Sequence, residues 1–323
     1  MADDGMAHEP RRDRDEDDRP TSFWKGLARD ALVAGLIVAV FLGALYLYAG
    51  VWPPLVVVES SSMQHGNEAS SLGVIDTGDM VFQQAASTRD SVITYVEGRA
   101  NGYSTYGDYG DVIIFRRAGT ATPIIHRAIM YVTLHANGTA DVPDILLMPT
   151  TDWLAQNATG PTQVPMYLRE LTILHMGYRH NLDLTFKFGG FPLAQRTGYV
   201  TKGDNNADYD PISSMPRLQD VQGRARGEIP WLGLVKLTIQ PTDTCCRTWG
   251  DMEAPKNSWD SLLVTLMFLV ALPFILEYAA RGWTKFVSPH LPRIPWPWRK
   301  SKGPQAHPEE PGDSPEWEEQ EPP

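Results

Sequence analysis

The 323 residues carry 28 Lys and Arg against 39 Asp and Glu, a net charge of −11. So acidic a chain, with Arg224 and Arg226 isolated and no basic stripe interleaved with aromatics, is not a nucleic-acid binder. Its only cysteines, the adjacent Cys245 and Cys246, make neither a disulfide framework nor a zinc site; the pair reads as two small thiols, with a vicinal disulfide as the alternative.

In chain order, residues 1–22 mix Asp, Glu and Arg with almost no apolar content and are expected to be a disordered tail. Residues 31–50 contain no charge, and as a helix they are long enough for a bilayer core, which takes about 20 residues. The expected anchor is 23–50. A cleaved signal peptide is the competing reading, but the run exceeds the usual apolar region of about 7–15 residues and follows a long charged segment. A second uncharged run, 261–276, predicts a membrane helix over 259–280; Pro273 within it is better tolerated in a membrane than in water. The tail from 281 to 323 is rich in Pro and Glu and expected to be disordered, with Trp296 and Trp298 in a segment that is either interfacial or a solvated linker.

Lys25 and Arg29 precede the first run, and Arg281, Lys285, Arg293, Arg299 and Lys300 follow the second. The positive-inside rule therefore places both termini in the cytoplasm and residues 51–257 outside a cell membrane that the chain crosses twice. Two sequons, Asn137-Gly138-Thr139 and Asn157-Ala158-Thr159, fall in that external part.

The external part reads as mainly β. Strands are predicted at 55–60, 79–84, 111–117, 124–135, 166–175, 182–188, 198–203 and 233–239, which are short, rich in Val, Ile, Thr, Tyr and Phe, and separated by Gly, Pro, Asn and Asp. No stretch shows a long apolar period of 3.6, and no repeat is evident.

Three segments hold residues of hydrolytic chemistry. Val56-Val57-Val58-Glu59-Ser60-Ser61-Ser62-Met63 is an apolar strand ending in serines; Ser62 follows Gly50 by 12 residues, at most about 40 Å, so it is tethered near the membrane. Pro123-Ile124-Ile125-His126-Arg127-Ala128-Ile129 puts a histidine in an apolar strand. The run from Thr201 to Asp210 holds Gly203-Asp204-Asn205-Asn206, a composition that by itself marks a turn. A serine needs a base to remove its proton, and the base needs a third group to fix its tautomer. Ser, His and Asp at separate strand ends supply those types, though any chain of this size contains them.

The segments resemble, in order, the boxes of the archaeal and eukaryotic-type signal peptidase catalytic subunit. Val56 to Met63 resembles the strand ending in the Ser-Gly-Ser-Met box; Gly78-Asp79-Met80-Val81-Phe82 and Gly110-Asp111-Val112-Ile113-Ile114-Phe115 resemble two Gly-Asp strand starts. His126-Arg127-Ala128-Ile129, Lys202-Gly203-Asp204-Asn205-Asn206 and Val221-Gln222-Gly223-Arg224-Ala225-Arg226-Gly227-Glu228-Ile229-Pro230 resemble the rest. The likeness spans 52–240, outside inserts at about 85–108 and 131–198. It implies a signal peptidase-type β fold, Ser62 as nucleophile, His126 as general base, and Asp210 as the carboxylate that orients it. Asp204 matches a second important aspartate, and Ser60 would donate its hydroxyl to the oxyanion beside the Ser62 amide.

Three departures stand out. Ser61 replaces the glycine between the serines, which could restrict an unusual backbone angle. His65 stands where a proline is usual and is a rival base. Asp208-Tyr209-Asp210 replaces adjacent aspartates, leaving Asp208 as an alternative to Asp210. The resemblance implies a membrane-bound endopeptidase that cuts signal peptides from preproteins after small residues, with the bilayer and the translocation channel as further partners. It needs neither metal nor other cofactor; the chain has no His-Glu-x-x-His and no phosphate-binding glycine loop. The alternative is an inactive relative serving as a membrane-anchored scaffold or peptide-binding module. The 131–198 insert reads as an added β subdomain, for substrate selection, for channel contacts, or as inert elaboration.

Overall fold

The computed structural model describes residues 19–283, apart from 118, 121 and 190–194. Most of the expected N-terminal tail and nearly all of the Pro/Glu-rich tail, including Trp296 and Trp298, lie outside the described residues.

Among the described residues, two helices are long and apolar enough to cross a membrane. The first, α1 (Arg19–Ala49), takes in residues 19–22, which the composition had assigned to the tail. Most of its described apolar side chains, among them Leu36, Phe41 and Leu47, are exposed. The other, α4 in chain order (Lys256–Gly282), contains Pro273 and begins three residues before the expected boundary at 259. The chain divides after Met267: in the second unit, the described part is the rest of α4, with Phe268, Val270 and Ile275 exposed.

Between the two helices the chain is mainly β. Strands β1 (Leu55–Val57), β2 (Met80–Gln84), β5 (Val112–Phe115), β6 (Ile124–Leu134), β12 (Arg196–Lys202) and β13 (Val221–Ile229) form a sheet in the order β1-β2-β13-β5-β6-β12, with β7 (Ala140–Asp141) paired to β6. Of the remaining strands, β3 (Ser104–Thr105) and β4 (Asp108–Tyr109) form a small ribbon. A second sheet runs β11-β10-β8-β9, from β8 (Trp153–Asn157), β9 (Gly160–Thr162), β10 (Glu170–Met176) and β11 (Leu182–Lys187). Every ladder between these named strands is antiparallel.

Strand β6 is the spine. Its β-branched and aromatic residues suit a pleated surface, and it is buried for most of its length. The second sheet lies within the 131–198 insert, and it is not a separate body: Trp153, Leu171, Ile173 and Phe186 share one core with Ile129, Met130 and Val132 of β6. That core also takes Tyr95 and Val96 from α2 (Tyr95–Asn101), a short helix in the 85–108 insert. Thr94 and Glu97 close a capping box on α2, and Gly102 ends it in the left-handed region.

One expected strand is a helix. Residues 233–239 read as strand for their Val, Thr and Ile, but Leu234 and Leu237, three apart, are the buried pair of α3 (Leu234–Ile239). That spacing fits one face of a helix rather than of a strand. Conversely, β13 was missed as a strand because its inward positions are Val221, Gly223 and Ala225, too small to register as an apolar alternation. Cys245 and Cys246 are joined to each other and buried beside Leu237 and Trp259, so the disulfide reading stands over two thiols.

Candidate active site

Ser62 sits in a 3₁₀ turn, Ser61–Met63, just past β1. Met63 anchors the turn by burial with Val58, Ile75 and Val81. From the other side comes the loop after β12: the Asn205 N–H donates to the Ser62 carbonyl at 2.9 Å, and Asn205 Nδ2 donates to the Ser61 carbonyl at 3.0 Å. Glycine at 203 permits the approach, because a Cβ there would stand 2.6 Å from the Ser62 carbonyl oxygen.

His126, buried in β6 opposite Ile113, reaches the same place. Its Nε2 lies 3.2 Å from Ser62 Oγ and its Nδ1 lies 2.6 Å from Asp210 Oδ2. An ionised carboxylate can only accept, so Nδ1 carries the proton, and Nε2 is left to accept from the Ser62 hydroxyl. Asp210 is fixed in turn: its N–H donates to the Thr201 carbonyl at 2.8 Å, and Thr201 Oγ1 donates to Oδ2 at 2.5 Å. The Arg117 guanidinium stands 3.6 Å from Oδ1. Burial pushes the Asp210 carboxyl up, but the bond and charge of His126, the Thr201 hydroxyl and Arg117 outweigh it and hold it below the usual carboxylate range.

The other residues singled out in the sequence fall in different places. Asp208 is exposed and accepts its neighbour's N–H, from Tyr209, at 2.8 Å; Asp210 alone of the two meets His126. Ser60 has an extended backbone and its Oγ lies 3.3 Å from Ser62 Oγ. With the Ser62 hydroxyl donating to His126 Nε2, this contact is a donation from Ser60 to Ser62. Ser61 needs no unusual angle, since it is not among the non-glycine residues with positive φ. Its N–H and Oγ–H instead both donate to Glu253 Oε1, at 2.9 and 2.7 Å.

Asp204 does not touch the serine–histidine pair. It takes a two-pronged bond from Arg127, Nε to Oδ1 at 2.8 Å and NH2 to Oδ2 at 2.6 Å, and a bond from His65 Nε2 at 3.1 Å. Burial raises its carboxyl, but Arg127, with His65, more than offsets that and carries it down to about 2. Arg127 is itself fully buried and donates to the carbonyls of Thr105 and Gly110. The His65 ring stacks on Tyr178 at 3.8 Å and packs against Gly107.

The Gly-Asp starts are struts. Asp79 accepts the backbone N–H groups of Asp76 and Trp231, at 2.8 Å each. Asp111 accepts from the Ile93 N–H, from the Tyr103 hydroxyl and from Arg226 of β13.

Ser60, Ser62, His126 and Asp210 line a cleft of about 680 Å³. Val58 and Ile125 give it an apolar part; Arg117, Thr122 and Pro123 come from the β5–β6 connection, and Pro241 to Thr244 from the segment after α3. Among the described residues, no group of three His, Cys, Asp or Glu side chains is placed to hold a metal ion. Thr201, Arg117 and Glu253 had no role assigned from the sequence. Thr201 opens the quoted run from Thr201 to Asp210, Arg117 ends an expected strand, and nothing local marks Glu253. No protein-family model matches the chain, and no curated protein matches it.

Proposed function

We propose that this chain is a membrane-anchored serine endopeptidase of the archaeal and eukaryotic signal peptidase type, removing signal peptides from preproteins after small residues. The observation that carries the reading is the continuous hydrogen-bonded line Ser62–His126–Asp210 at an open cleft. In this reading α1 and α4 span the cell membrane, both termini are cytoplasmic, and the β domain is extracytoplasmic. The short tether from Ala49 to Ser62 supports it, because it keeps the nucleophile at the bilayer surface where a membrane-held cleavage site emerges.

The chemistry follows from the geometry. Ser62 Oγ attacks the scissile carbonyl carbon as His126 Nε2 takes its proton. The tetrahedral oxyanion accepts from the Ser62 N–H and from the Ser60 hydroxyl, which is released from Ser62 Oγ as that atom becomes the ester oxygen. Asp210, held ionised, stabilises the imidazolium. His126 then gives the proton to the leaving amine, the C–N bond breaks, and water repeats the sequence on the acyl ester. The apolar part of the cleft, Val58 and Ile125, suits small uncharged side chains before the cut.

The test is cleavage of a model preprotein by the detergent-purified protein beside Ser62→Ala and His126→Ala. Cutting after a small residue that disappears in both variants supports the proposal. Cutting that survives Ser62→Ala overturns the site. A folded wild type that cuts nothing, in which Ser62 takes no covalent probe either, leaves the scaffold reading in its place.

A further inference from the structure

We infer that Glu253 is a positioning residue for the reaction: through Ser61 it sets the turn that points Ser60 and Ser62 at His126 and the cleft. The inference rests on the reading of Ser62 as nucleophile.

Ser61 uses every polar group it has. Its carbonyl accepts from Asn205 Nδ2, while its N–H and hydroxyl both go to one carboxylate oxygen, Glu253 Oε1. Hydrogen bonds to an ionised acceptor are the stronger kind, about twice a neutral pair. A glycine at 61, the residue usual in the family that the sequence resembles, would lack the hydroxyl. The serine and the glutamate therefore fit each other, and the departure has a partner almost two hundred residues away.

Glu253 is itself held. Its N–H donates to Asp251 Oδ1 at 3.1 Å, and the Asp251 carbonyl accepts from the indole of the buried Trp259. The start of α4 grips the chain beyond the nucleophile as well. Lys256 N–H donates to the Asn67 carbonyl, and Asn257 both accepts from the Ser70 N–H and donates to its carbonyl. The segment leading into α4 thus fastens the nucleophile turn at 61 and again at 67–70. Between those points the Ser62–His126 contact is 3.2 Å, so a small rotation of the turn would break it. Misplacement of a reacting group by about 1 Å can cost on the order of 100-fold in rate.

The experiment measures the rate at which a fluorophosphonate labels Ser62 in the full-length detergent-solubilised protein, read by intact mass. Glu253→Ala is expected to slow labelling at least about tenfold. Glu253→Gln, which keeps an acceptor, is expected to stay within about threefold of wild type. Ser61→Gly slows the wild type but adds little to Glu253→Ala, because both remove one interaction. Wild-type labelling in Glu253→Ala, or losses that simply multiply in the double variant, overturns the inference. If Glu253→Ala does not fold, Glu253→Asp, one methylene short, carries the same test with the same expected loss. A wild type that labels but cuts no preprotein breaks the peptidase reading alone, and the cycle still decides the role of Glu253. A wild type that takes no label sinks the nucleophile reading and this role together.

Discussion

Two histidine–aspartate pairs draw on one loop, and they do different things. Asp210 meets His126 at the cleft, and Asp204 meets His65 six residues earlier. Both rings give one N–H to a carboxylate, so the pairing by itself does not distinguish them. The surroundings do: His126 Nε2 faces a serine hydroxyl, whereas the His65 ring is packed against Gly107 and covered by Tyr178. The carboxylates differ too. Asp210 takes bonds from His126 and Thr201, with Arg117 set back, while Asp204 is clamped by the fully buried guanidinium of Arg127. A histidine–aspartate pair with a serine hydroxyl on the far nitrogen has the parts for acyl transfer; the same pair sealed against an arginine is a strut that holds the loop bonded to Ser62.

The largest effect that could break the contrast is on the reacting atoms. Ser62→Ala and His126→Ala are each expected to lower kcat at least about 10⁴-fold with unchanged thermal stability, measured on a model preprotein. A His126→Ala variant retaining a tenth of the activity would hand the role of base to His65.

Next is Asp210→Asn, expected to lower kcat about 10³–10⁴-fold by favouring the wrong tautomer of His126, with little change in KM. Equal losses in Asp208→Asn would return the choice between the two aspartates to an open question; the exposed position of Asp208 predicts less than about twofold.

Asp204→Asn probes the strut. It leaves the buried Arg127 without its counter-charge and is expected to cost about 3–5 kcal/mol of stability, read as a lower denaturation midpoint. The pH dependence has a definite sign. Asp204 titrates at about 2 when folded, against about 3.9 when unfolded, so its contribution is present above pH 4 and lost as pH falls from about 4 to 2. Wild-type stability should drop across that window, and Asp204→Asn should flatten the drop.

A modest effect is expected from His65→Phe, which keeps the stack on Tyr178 and loses only the bond to Asp204: less than about tenfold in kcat, and on the order of 1 kcal/mol in stability. A kcat loss approaching that of His126→Ala would erase the distinction between the pairs.

Much of the architecture was legible locally. The uncharged runs gave the two long apolar helices, and the Val, Ile and Tyr-rich segments gave β2, β5, β6, β10, β11 and β12 within a few residues. Where local signals failed, the cause is specific. Residues 233–239 carry β-branched side chains, yet burial of Leu234 and Leu237 on one face makes them a helix, and β13 hides behind Gly and Ala at its inward positions.

By itself the sequence determined the side-chain types, their order, and where apolar runs and turns fall, because period and composition act over a few neighbouring residues. Only the tertiary structure decided that Asp210 rather than Asp208 meets His126, that Asp204 and His65 close on Arg127, and that Ser61 binds Glu253. Each of these partners is set by how β6, the loop after β12 and the segment before α4 converge on one turn. Such convergence depends on strand register and core packing between residues distant in the chain, which no local window contains.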